Sequence, residues 1–198
     1  VDIKDKTIAV IGGGHIGMNV VKIANGFGMN VLVYDVVKNP ELALEYNFTY
    51  VDELSEILSR ADFVSLHAPL NTHTFHLLNK EMFCHIKQGA YLINTARGGL
   101  VETDALLTAL KEERIAGAGL DVLEGENYLN DEMNFLGEEH TEEEMKQILE
   151  DQMLMDMENV IITPHIAFNT DEAHLRIIQT TIENIKNFIE GTPNNTVS

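Results

Sequence analysis

Thr7-Ile8-Ala9-Val10-Ile11-Gly12-Gly13-Gly14-His15-Ile16-Gly17 decides the fold. A short apolar, β-branched run leads straight into G-x-G-x-x-G, and the glycines open an amphipathic stretch with Ile16, Val20, Val21, Ile23 and Ala24 on its apolar positions. This is the order strand, tight turn, helix. Gly12 permits the turn, Gly14 lets backbone approach a pyrophosphate, and Gly17 lets the helix pack close to the strand with its N-terminal amides facing the phosphates. Asp35 closes the next apolar run, 18 residues beyond Gly17, where a carboxylate can accept hydrogen bonds from ribose hydroxyls. The same carboxylate repels a 2′-phosphate, so the expected cofactor is NAD rather than NADP, with Lys38 nearby as the one contrary charge.

Outward from this unit the rhythm repeats. Strands are expected at Thr7–Ile11, Asn30–Tyr34, Asp62–His67, Ala90–Asn94, Ala116–Leu120 and Val160–Thr163, and helices at Ile16–Phe27 and Thr103–Lys111 among others. Apolar strands alternating with amphipathic helices give an α/β fold, a doubly wound, Rossmann-like parallel sheet whose ligands bind beyond the carboxyl ends of the strands.

The 198 residues, 44% of them hydrophobic, suffice for one core and one domain. With 13 Lys+Arg against 32 Asp+Glu, the net charge of −19 disfavours nucleic acid and anionic membrane as partners. Cys84 is the only cysteine, so an intrachain disulfide and a cysteine-based zinc cluster are excluded. No apolar run reaches the roughly 18 residues of a membrane span, and the first residues lack the apolar core of a signal peptide. A soluble, cytoplasmic protein is expected.

Two segments depart from the rhythm. Asn127–Glu158 holds 11 acidic residues and one basic residue, Lys146, and reads as an acidic loop followed by a surface helix. Thr141-Glu142-Glu143-Glu144 resembles a capping box there, and Met145, Ile148, Leu149 and Met153 share a face. Met153, Met155 and Met157 read as gap-filling core rather than a sticky groove. Thr170–Glu190 is a long helix with Ile177, Ile178, Ile182, Ile185 and Ile189, stopped by Gly191 and Pro193.

Three further loops each follow an expected strand: Asn94-Thr95-Ala96-Arg97-Gly98-Gly99, Asp121-Val122-Leu123-Glu124-Gly125-Glu126 and Thr163-Pro164-His165-Ile166-Ala167. They supply an Arg, a Glu and a His to the edge that carries the glycine loop. A guanidinium clamps a carboxylate and polarises the adjacent carbonyl, and an imidazolium donates a proton to a developing alkoxide. A carboxylate beside that imidazole keeps it charged above its ordinary value of roughly 6.5. Together with a nicotinamide, these groups suit reduction of a 2-oxo acid.

Asn94-x-x-Arg97-Gly98, Gly119-Leu120-Asp121-Val122 with Glu126, Thr163-Pro164-His165 and Thr170-x-Glu172-Ala173, in this order, resemble the D-isomer-specific 2-hydroxyacid dehydrogenase family over essentially the whole chain. Leu120–Glu126 and the long segment before Pro164 are most similar to its D-lactate dehydrogenase branch. The resemblance implies that Arg97 binds and polarises substrate, Glu126 pairs with the catalytic histidine, and His165 donates the proton. It further implies that His15 and Ile16 meet the pyrophosphate, and that Ala68, Pro69 and Thr74 line the adenosine side. Thr95, Ala96 and Asp121 would surround the nicotinamide end, Asp121 holding its carboxamide. Glu124 matches a variable position and reads as a solvated loop carboxylate.

His73 and His76 imitate a metal pair without an evident third ligand, so no metal is expected. His67, His85, His140 and His174 read as ordinary polar residues, and Cys84 as a partly buried thiol.

Members of the family normally carry about a hundred residues of substrate domain before the glycine-rich segment, which here starts at Gly12. The expectation is therefore an NAD-binding domain over residues 1–198, with a returning tail at about 191–198 and the substrate domain largely absent. Such a chain would bind NAD with little turnover alone, as part of an oxidoreductase acting on a small 2-hydroxy or 2-oxo acid. D-lactate/pyruvate is the expected pair; hydroxypyruvate, branched-chain oxo acids and a phosphorylated hydroxy acid remain open. The family resemblance implies a homodimer. The alternative function is a non-catalytic NAD-binding regulatory or interaction module.

Overall fold

Strand β1 (Thr7–Ile11) pairs in parallel with β2 (Asn30–Tyr34) on one side and β4 (Phe63–Leu66) on the other. With β3 (Thr49–Tyr50), β5 (Ala90–Asn94), β6 (Ile115–Leu120) and β7 (Val160–Ile162), the sheet runs β3-β2-β1-β4-β5-β6-β7, parallel throughout. The order reverses between β1 and β4, which makes a crevice at the carboxyl ends of those two strands. This computed structural model describes residues 2–126 and 141–196. The chain divides into two units, Val1–Pro164 and His165–Ser198, and the sheet lies in the first.

Period-2 alternation in β1 explains the double winding. Ile8 and Val10 pack with Met18, Val21 and Ala24 of α1 (His15–Gly26) on one face. Ala9 and Ile11 join the larger core on the other, with residues of α3 (Leu54–Arg60), α4 (Lys80–His85) and α5 (Thr103–Lys111). Each fully buried aliphatic side chain contributes about 1.5–3 kcal/mol, so a central strand buried on both faces anchors the loop that follows it.

The observed elements match the expected strands to within a residue at each end. The two-residue edge strand β3 is an addition, too short to leave an apolar run in the sequence. It follows α2 (Pro40–Glu45), whose Asn39 side chain accepts the Glu41 and Leu42 amides.

Helix α6 (Glu142–Met155) begins with the expected capping box: Thr141 Oγ1 accepts the Glu144 amide at 3.2 Å, and Glu144 Oε2 accepts the Thr141 amide at 2.8 Å. Its buried face differs from the expected one. Met145, Leu149 and Met153 are exposed, whereas Glu150, Asp151 and Leu154 are buried: Leu154 joins the core and Gln147 donates to Thr103 of α5. Of the later methionines, Met155 is exposed and Met157 packs against the core. The acidic loop expected before Thr141, including His140, lies outside the described residues. Cys84 is exposed rather than partly buried.

In the second unit, α7 (Asp171–Ile189) is capped by Thr170, whose side chain accepts the Ala173 amide at 3.1 Å, and the chain leaves it through Gly191 at φ +75°. Ile178, Ile182, Ile185 and Ile189 form an exposed stripe along it. Among the described residues no helix is long and apolar enough to cross a membrane.

Candidate active site

The glycine loop is held by contacts that admit no side chain. Gly12 sits at φ +102°, and a Cβ there would lie 2.7 Å from the Ala68 nitrogen and the His67 carbonyl carbon. A Cβ on Gly17 would lie 2.0 Å from the Gly12 carbonyl oxygen. Gly14 is different: a Cβ would meet no protein atom within 4 Å, so the fold does not demand this glycine. Space over the terminus of α1 does, and phosphates would use that space. The helix has no side-chain cap and no acid in its first turn, whereas every other described α-helix has an acid there. Its amides and positive dipole end are left for an anion.

Asp35 follows β2, and its Oδ2 and Oδ1 accept the Gly13 and Val37 amides at 2.5 and 2.8 Å. A cleft of about 490 Å³ opens at the switch point, lined by Gly12, Asp35, Ala68, Pro69 and Thr74 as the sequence suggests. It is also lined by Tyr34, Val36 and Leu77, which the sequence reading missed; Val36, exposed directly after Asp35, was the available signal. Lys38 is paired with Asp52, which occupies the charge that could have welcomed a 2′-phosphate. His15 and Ile16 are exposed at the start of α1. These residues fit a dinucleotide.

Beyond β5, buried Asn94 builds the Arg97 turn: its Nδ2 donates to the Arg97 carbonyl at 2.9 Å and its Oδ1 accepts the Ala96 amide at 3.1 Å. Thr95 and Arg97 are exposed and Ala96 half-buried. The Asp121 amide donates to the Asn94 carbonyl at 2.9 Å, joining this turn to the loop after β6. Gly98 completes the junction, since a Cβ there would lie 2.1 Å from the Leu123 backbone. The fold thus brings the loops of Arg97, Asp121 and Glu126 into backbone contact. Asp121 is buried and accepts a hydrogen bond from the Thr163 hydroxyl.

Glu124 is not a solvated loop carboxylate. Its side chain meets His76 Nε2 at 2.5 Å and accepts the Thr103 hydroxyl at 2.9 Å. His76 is accordingly committed to an acid; among the described residues no cluster of three metal-ligating side chains occurs. His67 lies beside Ser65, and burial holds its imidazole below its ordinary value.

Asp151 of α6 is fully buried, and burial pushes its carboxyl from 3.8 up to about 6, with Glu124 and Glu150 adding to the rise. A carboxyl raised on folding stabilises most below its unfolded value of 3.8, and this contribution is lost as pH rises through 6. Between pH 4 and 7, Asp151→Asn is therefore expected to gain about 2–3 kcal/mol relative to the parent, read from urea unfolding at each pH. Parallel profiles would contradict this.

His165 opens the second unit, in the left-handed region at φ 54°. Asp5, Asn47, His76, Glu113 and Asn195 share this region, which histidine tolerates better than most residues. Its ring meets Phe168 edge-on, and Phe168 stacks on His174.

Residues 1–167 match the family described as D-isomer specific 2-hydroxyacid dehydrogenase, NAD binding domain. The chain belongs to this family. As a member, it is 38% identical over 199 residues to an aromatic 2-oxoacid reductase of Clostridium sporogenes, covering 98% of this chain and 56% of that protein. It is also 38% identical over 189 residues to a glyoxylate reductase of Thermococcus litoralis, covering 96% of this chain and 50% of that one. Among solved structures, D-lactate dehydrogenase from Aquifex aeolicus, complexed with NAD and lactic acid, superposes with a TM-score of 0.87 at 40% identity, over 97% of this chain and 56% of that one. The chain therefore spans about half the length of these relatives.

Proposed function

We propose that this chain is the cofactor-binding half of an NAD-dependent D-2-hydroxyacid dehydrogenase acting on a small 2-oxo or 2-hydroxy acid, with pyruvate/D-lactate as the first pair to assay. The observation that carries the reading is the glycine cradle at an uncapped helix terminus, beside a loop pair that presents Arg97, Asp121 and Glu126 on the same sheet edge. NADH, when bound, supplies a hydride to the carbonyl carbon. Arg97 takes the substrate carboxylate and polarises its carbonyl, His165 gives a proton to the oxygen, and Glu126 pairs with the imidazole and orients it. Thr95, Ala96 and Asp121 hold the nicotinamide end, while Ala68, Pro69 and Thr74 hold the adenosine end. Asp35 selects NAD over NADP. The Leu120–Glu126 segment favours D-lactate, although two relatives at 38% identity bear the names of reductases of aromatic 2-oxoacids and of glyoxylate.

The reading includes a homodimer in the cytoplasm, and a single cofactor domain over residues 1–198 whose tail at about 191–198 returns toward a substrate domain. A cofactor half with only one wall of the cleft cannot exclude water from the reacting atoms. The 198-residue chain is expected to oxidise NADH with pyruvate at no more than about a thousandth of an ordinary turnover near 10 s⁻¹. Steady turnover at the ordinary rate would refute the half-site reading.

A further inference from the structure

Behind the loop of residues 121–126 lies a run of polar side chains that the proposed chemistry leaves unused. Asp151 Oδ2 accepts the Gly125 amide at 3.0 Å, and its Oδ1 accepts Gln147 Nε2 at 3.1 Å. The same Gln147 nitrogen donates to Thr103 Oγ1 at 2.8 Å, and Thr103 donates onward to Glu124 Oε2. His76 holds the other Glu124 oxygen from a left-handed backbone, at φ 51°, with its ring stacked on Phe75. The network ends on two carboxylates that grip the chain at adjacent residues, Glu124 through its own side chain and Gly125 through its amide. Gly125 is further enclosed, since a Cβ would lie 2.5 Å from Asp151 Oδ2 and 3.0 Å from Gln147 Cγ.

A purely structural contact between α6 and this loop could be apolar at lower cost, because an ionised carboxylate in a buried site must have its desolvation offset by hydrogen bonds. Buried networks that are fully satisfied fix one orientation of the backbone they hold. The next residue after the gripped pair is Glu126.

We propose that Asp151 and Gln147 are positioning residues for Glu126, fixing the backbone on its N-terminal side by holding the Gly125 amide and, through Thr103, the Glu124 side chain. The inference rests on the reading of Glu126 as the partner of His165.

The test reads pyruvate reduction where a substrate-binding half completes the enzyme, beside exchange of the Gly125 amide in the 198-residue chain. Glu126→Gln is expected to lower kcat by about 10²-fold with KM for NADH within about twofold of the parent. Asp151→Ala should lower kcat by about tenfold, leave that KM unmoved and speed exchange of the Gly125 amide. Asp151→Asn, which loses the charge but keeps an oxygen for that amide, should return kcat to the parent value. In the Glu126→Gln background, Asp151→Ala should add nothing. Gln147→Leu, which leaves the Gly125 bond in place, gives a smaller loss in the same direction and serves if Asp151→Ala does not fold. If Glu126→Gln lowers kcat while Asp151→Ala and Gln147→Leu do not, or if Asp151→Asn behaves like Asp151→Ala, the positioning role is overturned and the Glu126 reading stands. If Glu126→Gln itself leaves kcat unmoved, the pairing fails and the positioning role falls with it.

Discussion

Gly17→Ala is expected to weaken NADH binding by about 100-fold, or about 2.7 kcal/mol. The new Cβ would stand 2.0 Å from the Gly12 carbonyl oxygen, and neither partner can yield freely. Gly17 is in the first turn of α1, and Gly12 is pinned from the other side by the His67–Ala68 backbone and by the hydrogen bond its N–H donates to the Tyr34 carbonyl at 2.9 Å. The turn must open, and the α1 amides then leave the pyrophosphate. The loss is of the size of one or two hydrogen bonds to a charged group, about 1.5–3 kcal/mol each. Gly14→Ala separates binding from folding. Its Cβ meets no protein atom, so its urea midpoint should match the parent while its NADH affinity falls. Gly17→Ala should lose stability as well as affinity. Unchanged binding in Gly17→Ala, by calorimetry or nicotinamide fluorescence, would rule out this loop as the phosphate cradle.

His165→Ala, made where a substrate-binding half completes the enzyme, is expected to lower kcat for pyruvate reduction by about 10²–10⁴-fold, the ordinary contribution of a general acid. NADH affinity should stay within about twofold of the parent, since the proposed adenosine, ribose and pyrophosphate contacts lie elsewhere in the chain. The left-handed backbone at His165 adds a second signature. Relief of strain in His165→Asn, a residue that also tolerates this region, should be small, and a β-branched replacement should destabilise more than alanine. A regulatory NAD-binding module has no need of proton donation. An unchanged reductase rate in His165→Ala would favour it over the enzyme.

The fold was legible because β1 and the sequence after it satisfy several constraints at once. Thr7–Ile11 is apolar on both faces, Gly12 needs a positive φ, and Gly17 needs the absence of a Cβ. β3 was illegible, since two residues at a sheet edge leave no periodic trace. On α6, Thr141 and Glu144 announced the start of the helix, yet the apolar positions pointed to the wrong face. Buried Asp151 and half-buried Gln147 belong to a network with Thr103, Glu124 and His76, residues from three other chain segments whose meeting no local pattern records. Glu124 was misread for the same reason. Its hydrogen-bond partners are 21 and 48 residues away, whereas the contacts that shape the Arg97 turn are local, from Asn94.

Whether these residues build an NAD site at the β1/β4 switch point is decided by titrating the 198-residue chain with NADH and with NADPH. Saturable NADH binding is expected, and NADPH binding weaker by about tenfold or more, because Asp35 lines the cleft and the Lys38 ammonium is paired with Asp52. Equal affinity for the two dinucleotides, or binding of neither, would contradict it.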